Sequence, residues 1–342
     1  MMGVPKKLYL RIKNSQSRGA YFMLMILIMI NLLIQGRSFA NVSSINSIFL
    51  VNTHLILATI AQAIIIFSGG IDLSIGATIS VVNAFAIVAA QSMPLPLAWL
   101  GAFLLAVILG YVKGSLIAYL RVPAILVTYA LSILLEGVAL LILPKPGGTV
   151  PSFIYSIYGG VFAGFIPISA FLVLAVLFGY ELINRRPLGA QIKAAGANQR
   201  SLFIAGVNVE KTKRKAYLIA GVITGLAGLC ITALASSGDP GIGNSLSLNT
   251  IAAAILGGVS LSGGWGSVGG AASGALFLGL VNNVIFYIFN NVVQSSTILG
   301  IKLSYLQQLL TNTIIILGLC STLLTRFNLL GKWRRVKNES KK

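Results

Sequence analysis

Few residues in this chain are of a type that does chemistry, and the most unusual run is Ser68-Gly69-Gly70-Ile71-Asp72-Leu73-Ser74-Ile75-Gly76. It sets one carboxylate between two apolar stretches, and Asp72 is the only acidic residue before Glu136. An ionisable group at membrane depth is costly and is normally paired or functional. The flanking glycines break the helix here, and Ser74 can cap the next one with Asp72 near its positive end. Two readings of Asp72 stay open: a direct part in transport or partner contact, and a plain cap on a turn. Lys113 and Glu136 are the other ionisable groups within apolar runs, a thin set for binding a coupling ion.

Catalytic sets are missing. No G-x-x-x-x-G-K-[ST] occurs, so the chain does not hydrolyse ATP through a P-loop. The single His54 and the separated Cys230 and Cys320 make no metal cluster and no nucleophile-base set, and read as packed side chains within apolar spans. Gly264-Trp265-Gly266-Ser267-Val268-Gly269 fits G-x-G-x-x-G, but no strand, βαβ unit or downstream acidic residue accompanies it, so the dinucleotide reading is rejected. The expectation is a protein that is not an enzyme and needs no cofactor or metal.

Composition says where such residues must be held. Of 342 residues, 56% are hydrophobic and 9% charged, against roughly a quarter charged in a soluble protein. Six acidic and twenty-five basic side chains cannot build a solvated surface of this size, so lipid is the remaining solvent. The net charge of +19 does not point to nucleic acid, because the basic residues cluster before the first apolar run, between 185 and 215, and after the last run. A membrane-spanning helix needs about 20 apolar residues. Candidates lie near 20–36, 46–67, 74–93, 97–119, 123–143, 160–183, 216–236, 247–262, 267–290 and 301–325. The expected fold class is all-α: a polytopic membrane protein of about ten transmembrane helices in one bundle, both termini cytoplasmic. Its parts would be a basic N-terminal tail (1–19), the membrane domain (20–325) with a cytoplasmic loop at 184–215, and a basic C-terminal tail (326–342). The short eighth span is glycine-rich and can be a broken helix. Outer loops fall at 144–159 and 237–246, rich in turn formers, as docking surfaces or plain connectors. Gly110–Gly114, Gly221–Gly225 and Gly270–Gly274 have GxxxG spacing and read as close helix packing.

Two further stretches complete the pattern. Gly257-Gly258-Val259-Ser260-Leu261-Ser262, continuing through Gly263, Gly264 and Gly266, echoes the Asp72 run on the same predicted side of the membrane. The 187–209 loop carries Gly189, Ala194, Ala195, Gly196, Asn198, Leu202, Phe203, Ile204, Gly206 and Val207. An apolar patch there, exposed among basic residues, marks a partner surface.

With these residues in place, the chain resembles the permease subunits of ribose-type ABC importers, over about residues 45–320. Gly69, Gly70, Asp72, Leu73, Ser74 and Gly76 match the Gly-Gly-Ile-Asp-Leu-Ser-x-Gly signature of that family. Arg121-Val122-Pro123 with Thr128 and Gly137 resembles its next landmark, Ala195–Val209 its ATPase-coupling segment, and Gly257–Ser267 with Asn282-Asn283 its last block. The resemblance implies a permease dimer, two ABC ATPase subunits beneath it and an extracytoplasmic sugar-binding protein, in a bacterial inner membrane and in contact with its lipid. The solute would be a sugar delivered by that binding protein, with nucleoside or branched-chain amino acid permeases, and an ion-coupled carrier, as alternatives. Several positions depart from the family: Ser247-Leu248-Asn249 replaces an acidic run, Trp265 and Glu136 stand where arginine is usual, and Lys113 where asparagine is usual. Lost charges at several positions leave two partners open, a second copy of this chain or a paralogous permease.

Overall fold

The computed structural model describes residues 17–289 and, beyond them, 297–298, 301–302, 305–306, 309–310, 312–313 and 316. Helices dominate: α1 (Arg18–Gln35), α2 (Val42–Phe67), α3 (Ile75–Ala89), α4 (Leu95–Tyr119), α5 (Ala124–Ile142) and a short α6 (Ser152–Tyr158). After a small antiparallel hairpin, β1 (Val161–Phe162) with β2 (Ile166–Pro167), come α7 (Ile168–Asn184), α8 (Pro187–Ala197), α9 (Gln199–Ile204), α10 (Val209–Ala235), α11 (Leu246–Leu256) and α12 (Val268–Ile288). The chain divides after Gly279 into two units; the second holds the end of α12 and a minimal hairpin of β3 (Thr297–Ile298) and β4 (Ile301–Lys302).

Among the described residues, six helices are long and apolar enough to cross a membrane, or seven if α7 and α8, bent by 83° at their junction, count as one span. The protein is therefore an all-α polytopic membrane protein. Two expected spans are shorter than their apolar runs. α3 has 15 residues and α11 has 11, because Gly-rich breaks follow or precede them. The predicted span at 160–183 begins only at Ile168, after the hairpin, and that at 247–262 ends at Leu256, as its glycines foreshadow. The 1–16 segment, most of the tenth predicted span and the 326–342 tail lie outside the described residues.

α2 is the buried axis of the first unit: from Leu55 to Phe67 every residue is buried. A helix apolar all round belongs inside a bundle, whereas α5, with few buried positions, belongs at its edge. α4 and α10 cross at glycines. A Cβ at Gly110 would sit 2.8 Å from the Gly221 Cα, and one at Gly221 would sit 2.9 Å from the Gly110 Cα. Gly114 backs onto Tyr217 and Arg214, and Gly225 onto Phe103 and Ala106. The first two GxxxG runs thus pack on each other, while Gly270 and Gly274 let α12 approach Gly257. At the opposite end of the unit from α8 and α9, the 144–159 and 237–246 loops are joined. Gly147 and Gly238 exchange backbone hydrogen bonds of 2.9 and 3.0 Å, and Val150 N–H donates to Ser236 O.

Gly221→Leu must force α4 and α10 apart, with an overpacking cost of about 1–3 kcal/mol. Thermal unfolding in detergent should show a midpoint lowered by about 2–4 °C per kcal/mol. Gly179→Leu on α7, where nothing lies within 4 Å, should leave the midpoint unchanged.

Candidate functional site

The signature segment 68–74 is the non-helical link between α2 and α3, and its carboxylate is buried. Asp72 Oδ2 accepts a 2.8 Å hydrogen bond from Lys113 Nζ on α4, both side chains being almost fully enclosed (1% and 4% exposed). Asp72 Oδ1 accepts from Ser74 N–H at 2.7 Å and from the Ser74 hydroxyl at 2.6 Å. Lys113 Nζ completes its donors with Ser74 Oγ at 3.1 Å and Thr78 Oγ1 at 3.2 Å. With its amide turned so that nitrogen faces the carbonyl and oxygen the N–H, Gln62 of α2 spans the Asp72 backbone, donating to its carbonyl (3.1 Å) and accepting from its N–H (3.3 Å). Two charges out of water are tolerable only in such geometry, with the remaining lone pairs and protons satisfied.

This corrects the reading of Ser74 as a helix cap. Ser74 occupies the cap position of α3, but its side chain makes no capping bond, because Asp72 and Lys113 take its hydroxyl. Asp72 does cap the turn, through the Ser74 N–H, and it holds the buried Lys113 ammonium as well. Sequence reasoning also missed that Lys113, noted as a departure, is the counter-ion of Asp72. The signal was partial: among the apolar runs from 46 to 143 the one cation within a predicted span is Lys113, with Asp72 and Glu136 as the two carboxylates it could meet.

Further groups pin the same segment. Thr128 of α5 accepts from Leu73 N–H and donates to Ile71 O, both at 3.1 Å. Ser247 of α11 accepts from Gly76 N–H (3.0 Å) and donates to Leu73 O (2.7 Å). Gly76 is required because any Cβ would overlap the Gly243 carbonyl. Ser247 is thus a clip between α11 and the signature.

Three stretches that the sequence separates meet at one point. A Cβ at Gly69 would lie 3.2 Å from the Gly196 Cα, and one at Gly263 would lie 3.0 Å from the Gly69 Cα. Gly196 has no room for a side chain, since a Cβ would overlap Phe67 O and approach Gly264 N at 2.7 Å. Gly264 N–H donates to Phe67 O at 3.1 Å. The end of α2, the turn before α12 and the end of α8 are therefore in backbone contact, which only glycines allow. The 257–267 break lies on the same side as the 68–74 break, as their sequence positions anticipate.

α8 and α9 form this end. Pro187 starts α8, and Asn198 Oδ1 caps α9 by accepting from Ser201 N–H at 3.0 Å. Gly189 is pressed on the Asn184 backbone, Gly206 takes φ +76° to turn the chain, and Ala194 and Val207 pack on the buried cluster of Ala195, Leu202 and Val209. Leu202, expected in the exposed patch, is buried, and only Phe203 (72% exposed) and Ile204 (76%) face outward. Ser262 is exposed, Gly258 takes φ +83°, Gly266 is packed on Phe67 and Val259, and Gly70 lies under the Tyr217 hydroxyl. Lys193 Nζ sits 5.4 Å from the Phe67 ring centre, and partial burial pulls its ammonium below the ordinary value while Glu181 opposes. A cavity of about 620 Å³ opens between the signature and α9, lined by Gly69, Arg121, Arg200, Phe203, Glu210 and Lys213 among others. Among the described residues no cluster of His, Cys, Asp and Glu suits a metal, and Cys230 is a buried free thiol.

The family model described as "Branched-chain amino acid transport system / permease component" matches residues 44–320. The chain belongs to this permease family. Among curated relatives, the ribose import permease protein RbsC of Haemophilus influenzae is 29% identical over 273 residues, 78% of this chain and 84% of its own. The ribose import permease protein RbsC of Escherichia coli (strain K12) is 30% identical over 81% of this chain and 86% of its own. The D-allose transport system permease protein AlsC of the same strain is 28% identical over 82% and 85%. No solved structure matches. The resemblance to ribose-type permeases is borne out, and the signature and coupling stretches all lie within the matched region.

In this permease Lys113→Met leaves a buried carboxylate unpaired, and Asp72→Asn leaves a buried ammonium unpaired, each at about 3–5 kcal/mol. The double variant removes both charges and should recover most of that loss. Thermal unfolding of the four proteins measures the coupling, and additive losses would disprove it.

Proposed function

We propose that this permease is the membrane-spanning subunit of an ATP-driven importer for a sugar, a pentose, hexose or related small carbohydrate. The observation that carries this reading is the glycine junction. It ties the α8–α9 segment, with Phe203 and Ile204 outward, rigidly to both helix breaks of the membrane domain. A paired ATPase subunit pressing on Phe203 and Ile204 would move α2, α3 and α12 together, with no slack side chains between. The relatives named for ribose and allose support the sugar.

The α8–α9 end is then cytoplasmic, in keeping with Arg185, Arg186, Lys193, Arg200, Lys211, Lys213, Arg214 and Lys215, which all belong to it. Ten spans with both termini cytoplasmic follow if α3, α7 and α11 each complete a crossing and the 301–325 run supplies the last. The basic 1–19 and 326–342 tails flank that membrane domain. The joined 144–159 and 237–246 loops then face outward and receive the sugar-binding protein. The permease works as one of a pair, in a bacterial inner membrane, with solute passing along the pair axis by alternating access. ATP hydrolysis belongs to the partner chains, since this sequence has no P-loop.

Purification in mild detergent from the native host should bring down an ATPase with a P-loop. Phe203→Asp should keep the permease folded while losing sugar-stimulated ATP hydrolysis and uptake. Uptake driven by an imposed ion gradient without ATP would overturn the reading.

A further inference from the structure

α5 carries a carboxylate where neither lipid nor its own bundle accounts for it. Glu136 is exposed on an apolar helix, about 18 Å from the first residue and about 9 Å from the last, at 1.5 Å per residue. The helix buries Thr128, Leu135 and Ala139 against α3 and the signature, so Glu136 stands on a flank with Tyr129, Ser132 and Leu140. Ser132 Oγ donates to Glu136 Oε1 at 3.0 Å, and Gly137 beside it is open. Among the described residues no cation pairs with it. A carboxylate at this depth facing hydrocarbon is expensive, so the flank must meet something polar.

A second copy of this chain offers no lysine or arginine within its apolar helices that is free to reach this depth; from Val122 to Asn184 the one lysine or arginine is Lys145, in the loop beyond Ile142. From Asn46 to Tyr119 the one lysine or arginine is Lys113, which is buried and spent on Asp72. From Ala216 to Thr325 the one lysine or arginine is Lys302, at the edge of an apolar run. Across a two-fold axis near Glu136, a copy would bring a second carboxylate instead.

We propose that the Glu136 flank of α5 is the docking face for a second, non-identical permease chain that presents a lysine or arginine at this depth. This rests on the reading of the protein as one of a permease pair, and specifies the partner. The ion pair joins unlike chains and rejects like ones, because the mismatched carboxylates of a homodimer would be desolvated without compensation.

The test uses the assembled transporter from the native host, with a photo-crosslinking amino acid at Leu140. An adduct to a permease of different sequence, at a peptide bearing Lys or Arg, is the expected result. Glu136→Lys should lower recovery of that chain at least about tenfold, and reversing the partner's cation to Glu should restore it. Should Glu136→Lys fail to accumulate, Glu136→Gln retains the shape and should still weaken recovery. An adduct to another copy of this chain, or to lipid alone, overturns the proposal. So does labelling of Leu140→Cys by a membrane-impermeant maleimide as fast as an exposed loop cysteine, which would put the flank on an aqueous path. Adducts to a like copy beside a co-purified ATPase would sink only this inference. Absence of any ATPase would sink the importer itself.

Discussion

Everything around the signature depends on the fact that an aspartate and a lysine cannot be left apart in a dry protein interior. Unpaired, each would cost several kcal/mol to hold there. Paired at 2.8 Å, they draw α4 against the break between α2 and α3, and Ser74 and Thr78 are recruited to fill the remaining valences. Hydrophobic force does not drive helices together in a bilayer, so this constraint is among the few that specify how they meet.

The glycine junction works by the opposite logic. The pair attracts at a distance, whereas Gly69, Gly196, Gly263 and Gly264 contribute nothing but absence of bulk. Backbone on backbone leaves no rotamer to absorb displacement. A packed interface of this kind has one arrangement or another, not a continuum. The two devices are adjacent because Asp72 and Gly69 belong to one short segment. Charge fixes its far side to α4, and close approach fixes its near side to α8 and the turn before α12.

Much of this was legible in the residues and some was not. Membrane class, the helix breaks and the glycine packing follow from hydropathy, from Gly-Gly runs and from GxxxG spacing, all of them local signals. The meeting of distant stretches is not local: Lys113 is 41 residues from Asp72, and Ser247 is 174 from Leu73. No spacing encodes such contacts. The two misread side chains fail for a shared reason. Ser74 has the right type and place for a cap, and Leu202 lies in a polar loop, yet tertiary partners (an ion pair for one, Ala195 and Val209 for the other) outcompete the local preference. Bounds of the sixth and eighth spans were missed because apolar residues continue through a hairpin and a turn, where hydropathy does not change.

α10 has a consequence of its own. It runs unbroken for 27 residues, about 40 Å, from the Asn208 cap beside α9 to Ser236, whose carbonyl holds Val150 of the paired loops at the other end. No proline interrupts it, and its glycines are pressed against neighbouring helices, Gly221 and Gly225 on α4 and Gly228 on Val82 of α3, where they cannot act as hinges. A stiff rod of that length reports the position of one end at the other. In the importer proposed above, a protein landing on the loop pair would thereby be announced at the α8–α9 end before any solute had moved.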